Sequence, residues 1–540
     1  MPGWAQPLSF GNPAFETLSG EDITLHIGKG SLPIDGKPAH AVTINGTVPG
    51  PLLRLRQGQN LRLTVINELD EETSLHWHGL LVPFQMDGVP GVAFPGIPAH
   101  SRFIYEFPVT QSGTYWYHSH SGLQELMGQY APIIIEPAGA DANAAPRDHV
   151  VMLSDHSIVR PAQILRNLKV DPGHYNRQQQ TLAGLVAGKE QSLADRLAWA
   201  KMRMDPADIS DVTGAVLSYL VNGHGPADNW TGRFAPGERV RLRFVNAAAM
   251  TVFDVRIPGL TLSVVAADGQ NVQPVAVEEF QISPGETYDV MVTPAWDRAY
   301  TIAAEAVDRS GMARATLGPR AGMVAPVPAL CERPLLTMKD MGMDMPGVVM
   351  KGVEMKGMNM RNGANAPQVK LGPSVEMINP MPIDRTGEPG LGLDAANIGV
   401  GHKVLTYRDL IAHERNPGTR APAREIEVHL TGNMDRYMWS MDGQTMQETH
   451  EPLPMRSGER VRVTLINDTM MAHPIHLHGH IFDLVTGHGD HSPRKHTVNV
   501  LPGGKVSWDV TAIPGNWPFH CHLFLHMAMG MMRIVQVRPV

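Results

Sequence analysis

Three stretches of this chain alternate apolar and polar residues with a period of two, and all three share one frame. Gly58–Asn67 (GQNLRLTVIN), Gly237–Asn246 (GERVRLRFVN) and Gly458–Asn467 (GERVRVTLIN) each open on a turn glycine, run through a strand pattern and close on asparagine. Self-similarity of this kind marks three related β-units. Short β-runs punctuated by 44 prolines and 53 glycines, with little helical periodicity, predict an all-β chain of antiparallel Greek-key sandwiches. The units are expected at residues 1–145, 146–330 and 396–540.

Two segments break the alternation. Between residues 160 and 215, Ile164, Leu165, Leu168, Leu182, Leu185, Leu193, Leu197 and Trp199 predict short helices inserted in the second unit, as a lid or packing element. Residues 331–395 carry Met338, Met341, Met343, Met345, Met350, Met355, Met358 and Met360 among Gly, Asp, Lys and Asn, without a sustained apolar period. A flexible linker accounts for this composition. Exposed thioethers are apolar and oxidisable, however, and soft sulfur selects Cu(I), so the linker is also expected to collect copper.

Composition adds bounds. A chain of 540 residues, 43% hydrophobic and 18% charged, reads as globular and too long for one core. Its net charge of −8 argues against nucleic acid and anionic membranes as partners. No apolar run approaches the roughly 18 residues of a membrane span, so no insertion is expected. Residues Met1–Ser19 lack the regions of a signal peptide, which leaves a cytoplasmic protein or a mature exported one. Two cysteines make no disulfide framework; Cys331 reads as a free thiol, or else an auxiliary copper ligand.

The chemistry is concentrated in the histidines. In the extended segment His520-Cys521-His522, successive side chains point to opposite faces. Cys521, His526 and Met531 can then join one more imidazole in a trigonal His2Cys site with a weak axial Met, the geometry of blue copper. His473 supplies that imidazole, because its parity differs from that of His476 and His478. The remaining pairs, His76/His78, His118/His120, His476/His478 and His520/His522, each lie on one strand face and suffice for a cluster of several coppers. Zinc rivals copper for any single pair, but not for four pairs beside a His-Cys-His segment. Nine residues after the repeat asparagine come His76 and His476, whereas the middle unit has Val255, then Ile257. The cluster is therefore expected between the first and third units, with the middle unit as a metal-free spacer.

The four motifs carry a resemblance. Together with residues 76–91 (HWHGLLVPFQMDGVPG), 115–122 (YWYHSHSG), 430–439 (LTGNMDRYMW) and 467–478 (NDTMMAHPIHLH), the chain resembles the three-domain bacterial multicopper oxidases, and within them the copper-resistance protein A family. The resemblance implies three cupredoxin-like domains and four coppers. It implies a type 1 copper on His473, Cys521 and His526 with Met531 axial, a type 2 copper on His76 and His476, and a type 3 pair on His78, His118, His120, His478, His520 and His522. It further implies one-electron oxidations coupled to reduction of dioxygen to water, a periplasmic location, and Asp87 as an acid near the trinuclear centre. Where many relatives carry a proton-relaying Glu after the type 1 His, this chain has Met527; Glu125 is the candidate substitute.

Electrons should enter at the edge of His526, with Asp468, Met470 and Met471 as a substrate copper site. Two substrates follow: Cu(I), fed by the methionine tract, or phenols and aromatic amines, as in a laccase. A copper carrier without turnover would be expected to show damaged cluster motifs, and these are complete. Three units pairing first with third point to a monomer.

Overall fold

The computed structural model describes residues 15–188, 191–202, 204–342, 369–393, 402–449 and 451–539. Its strands form six sheets, two per unit in chain order. In the first unit, a sheet ordered Thr17–Leu18, Leu52–Arg56, Tyr130–Glu136, Gly113–His118, His76–His78 accompanies a four-stranded sheet built around Asp22–Ile34 and Asn60–Asn67. Leu25 and Leu63 from one sheet and Trp77, Tyr115 and Ile133 from the other share one buried core. The second and third units repeat the plan, and their apolar residues join in one continuous cluster. This is the three-domain cupredoxin-like architecture.

One expectation needs correction: the sheets are mixed, not antiparallel throughout. Each repeat strand runs parallel to the first long strand of its unit. Asp22–Ile27 pairs with Arg62–Asn67, Arg147–Leu153 with Val240–Asn246, and Arg424–Leu430 with Val461–Asn467. Tight turns force antiparallel neighbours, but these partners are separated by long connections that can cross over.

The closing asparagine of each repeat has the same task. Asn67, Asn246 and Asn467 are buried. Asn67 Nδ2 donates to the carbonyls of Glu71 and Ile97 while Oδ1 accepts from Leu69 N. Asn246 bonds Thr251, Ile282 and Ala248 in the same way, and Asn467 bonds Met471, Val500 and Thr469. One amide thus satisfies the buried backbone of the loop leading into the next strand, where His76 and His476 stand.

The insert contains helices Pro161–Val170, Leu182–Val186 and Leu193–Lys201, between the antiparallel strands Arg147–His156 and Ser218–Val221. Trp199 packs with Leu336, Met341 and Met470, joining the insert to the start of the methionine tract and to the third unit. Met338 is exposed and Met341 buried; Met343, Met345, Met350, Met355, Met358 and Met360 lie outside the described residues. Among the described residues, no helix is long and apolar enough to cross a membrane.

Candidate metal centres

Strand His473–Leu477 pairs with Gly515–Cys521 so that Ile475 faces Cys521 and His476 faces His520. That register puts His473 on the Cys521 side and His476 on the His520 side, as side-chain alternation requires. The short helix Phe524–Ala528 then returns His526 to the thiol. Cys521 Sγ stands 3.5 Å from His473 Nδ1 and 3.9 Å from His526 Nδ1, and the two nitrogens are 3.2 Å apart. Met531 is buried, its N–H donating to the His526 carbonyl and its carbonyl accepting from Cys521 N.

The outward nitrogens of both rings are held. Thr469 Oγ1 lies 2.7 Å from His473 Nε2, and Asp211 Oδ2 lies 2.6 Å from His526 Nε2. Such partners fix which nitrogen faces a metal. Trp439 stacks on His526 at 3.8 Å. Burial pushes the Cys521 thiol up and the His473 imidazole down, so the thiolate that a soft metal requires would be stabilised by the bound cation itself. Two inward imidazole nitrogens and one thiol suit copper.

On the other face of the same strands the eight remaining histidines converge between the first and third units. Ring centroids are 3.8 Å apart for His76 and His478 and for His78 and His476. His118 and His522 are 5.2 Å apart, and His120 and His520 are 5.1 Å apart. One nitrogen of most rings is tied outward. His76 Nδ1 donates to the Asp87 carbonyl, His476 Nδ1 to the His496 carbonyl, and His520 Nδ1 to the Cys521 carbonyl. His78 Nε2 lies 3.2 Å from Thr497 Oγ1. The opposite atoms, His76 Nε2, His78 Nδ1, His118 Nε2, His120 Nε2 and His476 Nε2, are buried without a hydrogen-bond partner.

Buried polar atoms are normally satisfied, so this many orphaned nitrogens facing one another fit a group absent from the protein itself. Burial first, then neighbouring imidazoles, holds His76, His78, His120, His476, His478 and His522 far below the usual histidine value. The rings are neutral, the form that binds metal. Within the cluster, His76/His476/His478, His76/His78/His118 and His120/His478/His520 each bring their ligand atoms within 4.8 Å of one another.

Two buried carboxylates border the cluster. Asp87 Oδ2 lies 2.9 Å from His478 Nδ1, and burial raises its carboxyl well above the ordinary range. Asp87 also precedes a tight turn: at φ +83°, a Cβ on Gly88 would come within 1.8 Å of the Leu75 carbonyl. Glu125 Oε2 lies 2.7 Å from His118 Nδ1, and Oε1 lies 4.0 Å from His522 Nδ1. Both carboxylates are therefore in place to orient imidazoles.

Comparison with known proteins decides the family. Models described as multicopper oxidase match residues 26–140, 187–321 and 419–540. The chain belongs to the multicopper oxidase family. It is 46% identical to a copper resistance protein A homolog of Pseudomonas syringae pv. tomato, over 99% of this chain and 95% of that one. It is 44% identical to copper resistance protein A of Escherichia coli, over 97% and 94%. Among solved structures it is similar in fold to a laccase from Botrytis aclada (20% identity, TM-score 0.66, 98% of this chain and 89% of that one). A multicopper oxidase from Campylobacter jejuni gives 18% identity, TM-score 0.62, and 98% and 94% coverage. As a multicopper oxidase, the protein is an oxidoreductase that uses four coppers, of types 1, 2 and 3, with dioxygen as acceptor.

Around these centres the oxidase departs from its motifs. Asp468 does not open toward Met470 and Met471. Its oxygens go to His429 Nδ1 at 2.8 Å and to Asn379 N at 2.7 Å, and Met470 lies in the buried apolar cluster that also holds Trp199. Met471 instead lines a small cavity, about 20 Å3, with Asp211 and Met250. Asp211 carried no signal in the sequence, because it lies 315 positions from His526 at the end of the insert. Met527 packs against the apolar core. Cys331 is exposed, its N–H bonded to Glu305.

Proposed function

We propose that this oxidase takes electrons from Cu(I) at His526 and serves copper detoxification in the periplasm. The domains fall at 1–145, 146–330 and 396–540, joined by the linker 331–395. His473, Cys521 and His526, with Met531 axial, hold the type 1 copper, His76 and His476 the type 2, and the six remaining imidazoles the type 3 pair. When bound, these coppers supply one-electron acceptance at Cys521 and four-electron reduction of dioxygen at the imidazole cluster.

The observation that carries the substrate is the contact between Asp211 and His526. His526 is fully buried, so an aromatic donor has no exposed ring edge to approach. A carboxylate at its outward nitrogen, beside the thioethers of Met250 and Met471, suits a small soft cation instead. The names of the most similar curated relatives agree with this choice. Cys521, between His520 and His522, links electron entry to the cluster through a few covalent bonds. Asp87 and Glu125 hold the Nδ1 sides of His478 and His118, which keeps their Nε2 atoms directed inward.

Oxygen uptake by the copper-loaded protein, with Cu(I) and a simple phenol offered separately, tests the substrate. Faster uptake with Cu(I) is expected. Preference for the phenol makes the protein a laccase, and no uptake with either makes it a carrier.

A further inference from the structure

The middle unit holds none of the proposed ligands, yet one of its turns reaches the imidazole cluster and another reaches the backbone beside it. Gly285, at φ +89°, lies so close that a Cβ there would stand 3.0 Å from His522 and 3.2 Å from His78. The other turn carries Asp268, fully buried. Its Oδ2 accepts the backbone N–H groups of His496 and Thr497, each at 3.1 Å, and lies 3.0 Å from Lys495 Nζ. The same buried ammonium lies 3.1 Å from Glu286 Oε1, which accepts the Tyr407 hydroxyl at 2.7 Å. Interior charges persist only where opposite charges and hydrogen bonds compensate them, so each member of this network depends on the others.

The network leads to the cluster in one step. The His496 carbonyl accepts His476 Nδ1–H at 2.7 Å. Thr497 Oγ1 lies 3.2 Å from His476 Nδ1, 3.2 Å from His78 Nε2 and 3.1 Å from His496 Nδ1. His78, His476 and His496 bring their nitrogens close enough for a metal, but this hydroxyl already stands among them. His496 therefore belongs to the support, and is not a ninth ligand.

We propose that Asp268, Lys495 and Glu286 are positioning residues for dioxygen reduction: an interdomain clamp that sets the His496–Thr497 backbone and hydroxyl, and through them the rings of His78 and His476. The clamp rests on the ligand assignment made above. Loss of such an outer partner lowers metal affinity roughly 10–100-fold.

The test uses the full-length, copper-reconstituted protein. Asp268→Asn and Thr497→Val, the latter close in shape to the parent residue, are compared with the parent by electron paramagnetic resonance, copper analysis and steady-state oxygen uptake. The expected result is an altered, less occupied type 2 signal with the blue absorption unchanged. kcat falls while KM for the electron donor stays the same, and Thr497→Ser restores the parent spectrum. Parent-like type 2 signal and kcat in both variants overturn the clamp. Should Asp268→Asn fail to fold, Thr497→Val decides by the same spectrum. A parent protein with no type 2 signal overturns the ligand assignment first, and the clamp with it.

Discussion

In the first and third units the position nine residues beyond the repeat asparagine is histidine, His76 and His476; in the middle unit it is Val255, with Ile257 following. Val255 and Ile257 are buried in the apolar cluster, so packing fills the space that imidazoles and metal take elsewhere. The frame is otherwise the same. Asn246 makes the loop contacts that Asn67 and Asn467 make, and Val240–Asn246 keeps the parallel partner. The comparison teaches that frame and ligands are separable. The middle unit, which holds none of the proposed ligands, contributes Asp211 to His526 and Asp268 to the backbone beside His476. The expectation of a mere spacer gives way to a unit whose turns border both proposed centres.

The sharpest break between the units is Cys521→Ser, which removes the soft ligand in the third unit. Blue absorption and turnover are expected to vanish while copper in the imidazole cluster is retained, as absorption, copper analysis and oxygen uptake would report. Next come the matched substitutions Asn246→Ala and Asn467→Ala. Each orphans buried backbone groups and should cost about 2–4 kcal/mol in denaturant unfolding. Only Asn467→Ala should also lower copper content; equal copper loss in both would erase the distinction between units.

Asp211→Asn keeps the contact with His526 but removes the charge. Cu(I) oxidation should fall roughly 10-fold or more with copper content unchanged, and an unchanged rate would remove Asp211 from electron entry. The smallest effect is at Asp208, whose carboxyl is pushed up to about 8 by burial and then by Asp211, from an ordinary 3.8. Between those values the folded protein binds a proton that the unfolded chain has released, so stability falls as pH rises through the window. Asp208→Asn should flatten that dependence and raise Tm at pH 8 by about a few degrees; a Tm unchanged at pH 8 would count against the shift.

What the sequence made legible was local. Alternation fixed the repeat strands, and parity separated His473 from His476 and His478, because both depend on neighbours along the chain. The insert was legible for the same reason. Parallel pairing was not, since it depends on partners some 40 residues apart in the first and third units and 93 apart in the middle one. Asp211, Asp268 and Thr497 act across domain boundaries, and nothing in their flanking residues distinguishes them from ordinary loop and strand positions. Asp468 was expected beside His526 with Met470 and Met471, whereas the chain turns its carboxylate toward His429.

The most direct measurement is the copper content and magnetic resonance of the reconstituted protein. Four coppers per chain are predicted, one intensely blue and one type 2 signal visible, with the remaining pair coupled and silent. Substitution of His473 should remove only the blue copper, and no substitution at Val255 or Ile257 should remove one outright. Fewer than four coppers in the fully loaded protein, or a copper that survives loss of the proposed ligands and depends on the middle unit, would contradict the account.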